Sequence, residues 1–271
     1  MVIAPCPGMK HNIDATRTPW IIAHRGGRLD APENTRAAFE AALDHPIDGL
    51  ELDIQMTKDG VAVLHHDGNL QKINGDRRRI SDFDYEELTG LDWGGWYAGA
   101  FAGERIVTLE ELLRLYAGRT RLLVEIKSFL RDRRKGRSFD LTREVLSVVH
   151  QQIPPPRDQR IFILSFDLDV LDYAHQMDPG WKYVWNLPGS VPAVSSLRIP
   201  DYLHALCLPV HRLSTAFVND LHRRGKRVMT YSCNSPRQVD KAWAANADVI
   251  MTDRPGWICD YIALRGSGHD S

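Results

Sequence analysis

The chain has 271 residues, of which 43% are hydrophobic, and its formal net charge at pH 7 is -1. This length and apolar content suffice for one large buried core, and an α/β barrel has this size. The balanced charge gives no global electrostatic reason to expect a nucleic acid or an anionic membrane as a partner, so we expect neither.

Cysteine usage and hydropathy narrow the cellular context. The four cysteines are widely spaced and form no C-x-x-C pair, which argues against both a zinc knuckle and a disulfide framework. No stretch reaches the about 18 to 20 uninterrupted apolar residues of a membrane span, and the N-terminus lacks the apolar core of a secretion signal. We therefore expect a soluble, cytoplasmic protein with free thiols and no stable membrane anchor. The sequence predicts no particular oligomeric state.

The chain opens with a segment that has no periodic pattern. Residues 1–18 mix Pro, Gly and polar residues, and we interpret them as a loose leader. The first predicted strand, Trp20–Ala23, runs directly into His24-Arg25-Gly26-Gly27. Asn34 or Thr35 could then cap an alanine-rich helix. A short strand, a polar turn and a helix form the first unit of a β/α alternation.

The next predicted strand carries two acids inside an apolar run, Glu51-Leu52-Asp53-Ile54-Gln55. Because successive side chains of a strand alternate between its faces, Glu51 and Asp53 point the same way and share one small space. Two adjacent carboxylates repel each other, so the arrangement requires a cation, a shared proton or solvent. An exposed acidic strand face is the alternative interpretation.

A tight turn at Lys58-Asp59-Gly60 follows, and the next apolar run ends in His65-His66-Asp67. Such a short turn leaves no room for a crossover helix, so the pattern predicts a strand over 61–66 that is antiparallel to the preceding one. His65 and His66 face opposite sides of such a strand, and we interpret His65 as structural.

The pattern changes to short polar pieces from Gly68 to about Val107, a change typical of an inserted lobe. Trp93, Trp96 and Tyr97 lie in this stretch among glycines. We expect these aromatic residues to form the core of the lobe, because a lobe of this size has little else to bury. The alternatives are that they line a pocket or rest on a lipid surface.

Helices and strands alternate regularly in the rest of the chain. Helices are predicted over 108–117, 140–152, 167–177, 214–224 and 235–245, and strands over 121–127, 160–165, 182–186, 202–208, 227–232 and 248–251. Together with the first two parallel strands, and without the hairpin strand, these are eight strands separated mostly by helices. That is the pattern of a (β/α)8 TIM barrel. We expect one catalytic domain over 19–266 with an insertion at about 68–107.

The active site of such a barrel lies at the carboxyl ends of its strands. Asp53 falls at that end, as do His24 and Lys127, and His66 reaches the same mouth through the hairpin. Ser165, Asn234 and Thr252-Asp253 close other strands there. The neighbouring run 131–137 is strongly basic. It could attract an anionic head group, although a solvated loop is the usual form of a charge run.

Several motifs, taken together and in their order, resemble the glycerophosphodiester phosphodiesterase family. They are His24-Arg25-Gly26, Pro32-Glu33-Asn34-Thr35, Glu51-Leu52-Asp53, Thr57-Lys58-Asp59-Gly60, His66-Asp67, Val124-Glu125-Ile126-Lys127, Ser165-Phe166 and Thr252-Asp253-Arg254-Pro255. The set spans nearly the whole predicted barrel. Where the family often has Trp-Thr-Val-Asn, this chain has Tyr231-Ser232-Cys233-Asn234, a departure that bears on substrate packing.

The resemblance implies a TIM barrel with a small lobe inserted after His66-Asp67. It also implies hydrolysis of glycerophosphodiesters, such as glycerophosphocholine or glycerophosphoethanolamine, to glycerol 3-phosphate and an alcohol. A divalent cation, Mg²⁺ or Ca²⁺, would be held by the positions that match Glu51, Asp53 and Glu125. Hard oxygen ligands of this kind suit either ion.

The same resemblance assigns the remaining site residues. His24 and His66 match the two acid/base histidines of the family, and Arg25 and Lys127 match groups that contact the phosphate. A lysophospholipase D or another lipid phosphodiesterase is the alternative on the same scaffold. A non-catalytic metal-binding or phosphate-binding module is a further alternative, but binding alone would not need two titrating histidines.

Overall fold

The computed structural model describes residues 18–153, 160–188 and 197–267. The predicted leader lies outside these ranges except for its last residue. Nine strands are present in the described part of the chain: β1 Trp20–Ala23, β2 Gly49–Met56, β3 Ala62–Leu64, β4 Arg121–Ile126, β5 Ile161–Ser165, β6 Lys182–Asn186, β7 Leu203–Pro209, β8 Arg227–Tyr231 and β9 Val249–Thr252.

Eight of these strands are parallel and close into a barrel. Their order is β1-β9-β8-β7-β6-β5-β4-β2, and β1 also pairs with β2, which joins the two ends of the sheet. The (β/α)8 TIM barrel predicted from the sequence is therefore confirmed. Every one of these pairings is parallel, so the carboxyl ends of the eight strands meet at one mouth.

The ninth strand, β3, forms the predicted hairpin. It pairs antiparallel with β2, with Ile54 opposite Leu64 and Met56 opposite Ala62. The strand is shorter than the predicted 61–66, although the His65 N–H still donates to Asp53 O at 3.0 Å. This last contact returns the chain to the mouth of the barrel.

Ten α-helices occupy the described ranges: α1 Arg36–Leu43, α2 Gln71–Asn74, α3 Tyr85–Thr89, α4 Leu109–Tyr116, α5 Leu130–Arg134, α6 Arg137–Gln152, α7 Leu168–Met177, α8 Thr215–Arg223, α9 Pro236–Ala244 and α10 Pro255–Ser267. The predicted helices agree with α4 and α6 to α9 to within a few residues. Residues 189–196, between β6 and β7, lie outside the described ranges. None of the described helices has both the length and the apolar character needed to cross a membrane.

The alternation of β2 and β4 separates two layers of side chains. Leu50, Leu52 and Ile54 point outward and pack with residues of the surrounding helices. The apolar residues that fill the barrel interior are Ile22, Leu123, Phe162, Leu164, Val184, Ala205, Cys207, Met229, Val249 and Met251. Each fully buried large side chain contributes about 1.5 to 3 kcal/mol. Burial of these apolar layers is therefore the main favourable contribution to the stability of the scaffold.

The inserted lobe has a small core of its own. It is built from Val63, Leu70, Ile80, Phe83, Leu88, Trp93 and Ile106. The prediction for Trp93 is confirmed, but Trp96 and Tyr97 lie outside this cluster. The Lys72 ammonium lies 4.9 Å from the centroid of the Trp96 ring, and the Tyr97 hydroxyl donates to Leu29 O at 2.8 Å. Trp96 therefore contacts another residue of the lobe, whereas Tyr97 joins the lobe to the segment between β1 and α1.

The basic run 131–137 is helical, so the interpretation of this run as a loop was wrong. It covers most of α5 and the start of α6. Acidic groups and carbonyls on neighbouring elements stabilise the helical form, because Arg133 pairs with Asp167 at 3.3 Å and Arg137 donates to Thr57 O at 2.8 Å. Some of the basic side chains of the run are thus paired with other parts of the same chain.

Candidate active site

Three carboxylates meet at the mouth of the barrel. Glu51 and Asp53 come from β2, and Glu125 comes from β4, where it lies opposite Asp53 in the strand register. All three are buried, and one oxygen from each lies within 4.8 Å of the others. The alternative of an exposed acidic strand face is excluded by this burial. Three close carboxylate oxygens form a set that suits a hard divalent cation.

Two permanent cations partly balance these acids. Lys127 Nζ lies 2.7 Å from Glu125 Oε1 and 3.2 Å from Asp53 Oδ1. Burial disfavours the charged form of Lys127. The negative charges of Asp53 and Glu125 outweigh this effect and raise the pKa of Lys127 above its usual value. Arg25 Nε lies 3.4 Å from Asp53 Oδ2. The two cations thus converge on Asp53.

The carboxylates differ in their protonation. Burial would raise the pKa of Asp53, but the charges of Lys127 and Arg25 hold it well below its usual range. Burial, followed by the charges of Asp53 and Glu125, raises the pKa of Glu51 well above its usual value. Three carboxylates facing two cations leave one negative charge without compensation. The site therefore favours a further positive charge beside Glu51.

The turn after β1 directs a backbone donor into the site. Arg25 has a φ of 54°, and its N–H donates to Glu51 Oε2 at 3.0 Å. Gly26 follows with a φ of 79°, and a Cβ at that position would lie 2.8 Å from the Cβ of Ala38. Only glycine fits this left-handed position against α1. The His24-Arg25-Gly26 sequence is thus explained by the close approach of the turn to the helix.

His24 is held through one ring nitrogen. Its Nδ1 lies 2.5 Å from Asp253 Oδ1. Asp253 also accepts from Asn234 Nδ2 at 2.6 Å, and Arg28 Nε lies 2.9 Å from Asp253 Oδ1. Burial opposes ionisation of Asp253, but these three donors hold its pKa below the usual range. An ionised carboxylate only accepts hydrogen bonds, so the hydrogen between the two residues is carried by Nδ1 of His24. Nε2 of the same ring lies 3.8 Å from Glu51 Oε2 and can contact a molecule bound in the site.

His66 is held in the same way, and His65 is not part of the cavity. The Nδ1 of His66 lies 2.8 Å from Asp67 Oδ1, and the ring lines the cavity at the mouth. His65 is buried with its Nε2 3.0 Å from Asn69 O, and its ring centroid lies 5.5 Å from that of Trp93. Burial lowers the pKa of His65. The two histidines therefore have different surroundings, as the strand alternation predicts.

Two asparagines complete the site and were not predicted from the sequence. Asn34 has a φ of 59° and donates from Nδ2 to Asp53 Oδ2 at 3.0 Å. Thr35 is the residue that caps α1, since its Oγ1 accepts from Ala38 N at 3.2 Å. Asn186 donates from Nδ2 to Glu125 Oε2 at 3.0 Å. A polar residue at the carboxyl end of the predicted strand 182–186 was the available signal for Asn186.

A cavity of about 230 Å³ opens beside these groups. Its lining includes the polar side chains of Arg25, Lys127, His24 and His66 and the aromatic side chains of Phe166 and Tyr231. All seven residues predicted for the site, His24, Arg25, Glu51, Asp53, His66, Glu125 and Lys127, are therefore brought together at one mouth. A cavity of this size suits a small polar molecule with an anionic group.

The chain is similar over most of its length to known proteins. The profile of the glycerophosphoryl diester phosphodiesterase family matches residues 24–257. A glycerophosphodiester phosphodiesterase from Caldanaerobacter subterraneus subsp. tengcongensis is 30% identical over 252 residues, which cover 91% of this chain and 98% of that protein. A glycerophosphodiester phosphodiesterase from Bacillus altitudinis is 28% identical over 243 residues, which cover 87% and 94%.

A solved structure agrees with these relatives. The structure of an Oleispira antarctica phosphodiesterase in complex with the product sn-glycerol-3-phosphate has a TM-score of 0.81 to this fold. The two are 25% identical, and the match covers 90% of this chain and 97% of that chain. The family match at 24–257 includes every site residue from His24 to Asp253. The chain therefore belongs to the glycerophosphoryl diester phosphodiesterase family and is an enzyme that hydrolyses glycerophosphodiesters.

Proposed function

We propose that the enzyme acts on glycerophosphodiesters with small head groups, such as glycerophosphocholine and glycerophosphoethanolamine, and releases glycerol 3-phosphate and an alcohol. The observation that carries this proposal is the buried group of three carboxylates, placed with Arg25 and Lys127 beside a cavity of about 230 Å³. The bound sn-glycerol-3-phosphate of the Oleispira antarctica relative supports the product. Residues 19–266 would form one catalytic domain.

Glu51, Asp53 and Glu125 would hold one divalent cation, Mg²⁺ or Ca²⁺. Their oxygens are hard donors. Burial, followed by the charges of Asp53 and Glu125, raises the pKa of Glu51, so a further positive charge beside this carboxyl would be favourable. When bound, such an ion neutralises charge on the phosphate and acts as a Lewis acid. Asn34 and Asn186 would keep Asp53 and Glu125 in place, since each amide donates to the carboxylate oxygen that it faces.

Arg25 and Lys127 would bind the phosphate of the substrate. Both side chains line the cavity and remain positively charged. A phosphodiester keeps one negative charge on its non-bridging oxygens, and more charge develops there as a bridging oxygen leaves. Cations fixed in advance at that place stabilise the transition state more than the ground state.

His24 and His66 would move the two protons of the reaction. Asp253 and Asp67 hold their Nδ1 atoms, which leaves Nε2 of each ring for the substrate. One imidazole would take a proton from the attacking oxygen, which belongs to water or to a neighbouring glycerol hydroxyl. The other would give a proton to the departing alkoxide. An aspartate behind each histidine fixes the ring for this exchange.

One feature of the mouth supports a second candidate, a lysophospholipase D or related lipid phosphodiesterase. Phe166 is 41% exposed and lines both the cavity and an adjoining groove. Leu130, on the same groove, is 65% exposed. An acyl chain attached to the glycerol could lie along these two side chains. The polar residues that line the cavity would then act on the same phosphodiester.

A panel of diesters separates the two candidates. Choline or ethanolamine release would be measured for glycerophosphocholine, glycerophosphoethanolamine and their lysophospholipid counterparts. The second product would be glycerol 3-phosphate from the diesters without an acyl chain and acylglycerol 3-phosphate from the lysophospholipids. We expect turnover of the diesters without an acyl chain, and little effect of Phe166→Ala on it. Turnover of the acylated substrates alone, reduced by Phe166→Ala, would favour the lipid phosphodiesterase instead. Hydrolysis of no diester would contradict both.

A further inference from the structure

A lysine of the inserted lobe lies between two carboxylates next to the cavity. Lys72, in α2, places its Nζ 2.6 Å from Glu33 Oε1 and 3.1 Å from Asp67 Oδ2. Its side chain is 28% exposed, so solvent screens these contacts only in part. The Trp96 ring, with its centroid 4.9 Å from Nζ, adds a third favourable contact. The ammonium group is thus held from three sides.

Both carboxylates continue into the active site. Asp67 uses its other oxygen, Oδ1, for the contact with His66 Nδ1 at 2.8 Å. Glu33 uses Oε2 to accept from Arg25 Nη1 at 3.3 Å. Lys72 is therefore the shared partner of two acids that each hold a residue of the cavity.

The ammonium also supplies charge that this group of residues needs. Glu33, His66 and Asp67 each offer an atom within 4.8 Å of the others, a spacing at which three such groups could hold a metal ion. Lys72 Nζ contacts two of the three. Without it, Glu33 and Asp67 would repel each other, and Asp67, whose side chain is 34% exposed, would be free to turn towards solvent.

We propose that Lys72 is a positioning residue of the phosphodiesterase reaction, which acts by holding Asp67 in the orientation that fixes the His66 ring. The proposal rests on the proposed role of His66. A proton-transferring imidazole must lie within hydrogen-bond reach of the reacting oxygen, and small displacements of such a group are costly. Groups that orient the ligands of a metal site change affinity or activity about 10- to 100-fold when they are replaced, and we expect an effect of the same order for a group that orients an acid/base histidine through its aspartate.

The proposal gives the inserted lobe a part in the reaction. Leu70 is fully buried in the core of the lobe and lies two residues before Lys72. Trp96, which contacts the ammonium, donates from Nε1 to Trp93 O at 2.8 Å, and Trp93 belongs to the same core. The lobe core thus fixes both Lys72 and its aromatic neighbour. Through Lys72, the lobe holds a residue at the barrel mouth.

A double-mutant cycle tests whether Lys72 acts through His66. The kcat/KM for the best substrate of the diester panel would be measured for Lys72→Met, His66→Ala and the double variant. We expect Lys72→Met to lower kcat/KM about 10-fold or more in the otherwise unaltered enzyme. In the His66→Ala background, Lys72→Met should lower kcat/KM by less than about threefold, because no imidazole ring remains to be misplaced.

Three further variants serve as controls. Lys72→Arg keeps the charge and should recover most of the activity, and Lys72→Gln repeats the cycle with a polar side chain in case the methionine disturbs folding. Lys58→Met removes an exposed lysine that pairs with Asp84 at 3.4 Å, and it should remain within about twofold of the parent enzyme. Melting temperatures identify any variant that is unfolded.

Two results would overturn the proposal while leaving the role of His66 intact. One is an equal loss from Lys72→Met in both backgrounds, which would show an effect independent of His66. The other is unchanged activity of Lys72→Met and Lys72→Gln in the otherwise unaltered enzyme. Full activity of His66→Ala would contradict the proposed role of His66, and the role of Lys72 would fail with it.

Discussion

Asp253 lies directly behind His24, with 2.5 Å between Asp253 Oδ1 and His24 Nδ1. The two residues follow neighbouring strands, since Ala23 at the end of β1 pairs with Thr252 at the end of β9. Closure of the barrel therefore brings the first and last strands of the chain together at the active site. Arg28 and Asn234 complete the shell around the buried carboxylate.

This contact predicts the effect of changing Asp253 to asparagine. The amide of Asp253→Asn can donate to Nδ1, which would place the hydrogen of the neutral ring on Nε2 and remove the lone pair from the site. We expect kcat to fall on the order of 10²-fold or more, with the protein still folded by thermal unfolding. Asp44→Asn, at an exposed position after α1, is a matched control that should leave kcat unchanged. An unaltered kcat in Asp253→Asn would exclude this role.

Alanine substitutions should separate the three histidines. We expect His24→Ala and His66→Ala each to lower kcat on the order of 10²-fold or more while the fold survives, because each ring would transfer a proton. His65→Ala should instead lower the melting temperature, since it removes a buried ring packed against Trp93. The measurement is kcat alongside thermal unfolding. An essential His65 beside a dispensable His66 would show that the assignment of their roles is wrong.

Replacing Lys127 with methionine tests the balance between substrate binding and metal binding. The change keeps the aliphatic stem and deletes a charge that contacts Asp53 and Glu125. Activity should fall, because a cation for the phosphate is lost. Affinity for a divalent cation should stay the same or increase, because a competing cation leaves the carboxylates. Unchanged turnover in Lys127→Met would make Lys127 a structural residue.

His204 predicts a pH dependence of stability that is separate from catalysis. Burial, followed by the charges of Lys182 and Arg227, lowers the pKa of His204 to about 4 in the folded protein, against about 6.5 in an unfolded chain. Between these values the unfolded chain binds a proton that the folded protein does not. Stability should therefore fall as the pH drops from about 6.5 towards 4, and this group should have no effect above that range.

The variant His204→Gln should remove this contribution. The melting temperature of the variant minus that of the parent should be larger at about pH 5 than at about pH 8. His150→Gln, at an exposed position of α6, serves as the control and should show no such shift. Melting temperatures of His204→Gln and the parent that change in parallel with pH would contradict the lowered pKa of His204.

The barrel could be predicted from the sequence because its strands are short apolar runs in regular alternation with helices. The position of Glu51 and Asp53 on one face follows from strand alternation alone, whereas their burial is a finding of the structure. Their closeness to Glu125 depends on the β2–β4 register, in which Asp53 lies opposite Glu125. The family resemblance implied that closeness, whereas periodicity did not determine it.

The contacts that surround the site were harder to predict, because they join distant parts of the chain through side-chain rotamers. Asn34 could be read as a helix cap, yet its left-handed backbone turns the amide towards Asp53. Lys72 belongs to a polar stretch without periodicity. Nothing in the neighbouring sequence indicates that its Nζ lies 2.6 Å from Glu33 Oε1. The basic run 131–137 lacked a helical pattern, and its ion pairs come from other elements.

Glu51, Asp53 and Glu125 are proposed to hold together one divalent cation on which turnover depends. The most direct test is to remove metal with a chelator, verify its absence by elemental analysis, and follow glycerol 3-phosphate release as Mg²⁺ or Ca²⁺ is added back. We predict loss of activity on chelation, recovery at one bound ion per chain, and weakened binding in Glu51→Gln, Asp53→Asn and Glu125→Gln, with only a small fall in melting temperature. Undiminished hydrolysis by protein that contains no detectable metal would contradict the claim and would leave a metal-free mechanism based on His24 and His66.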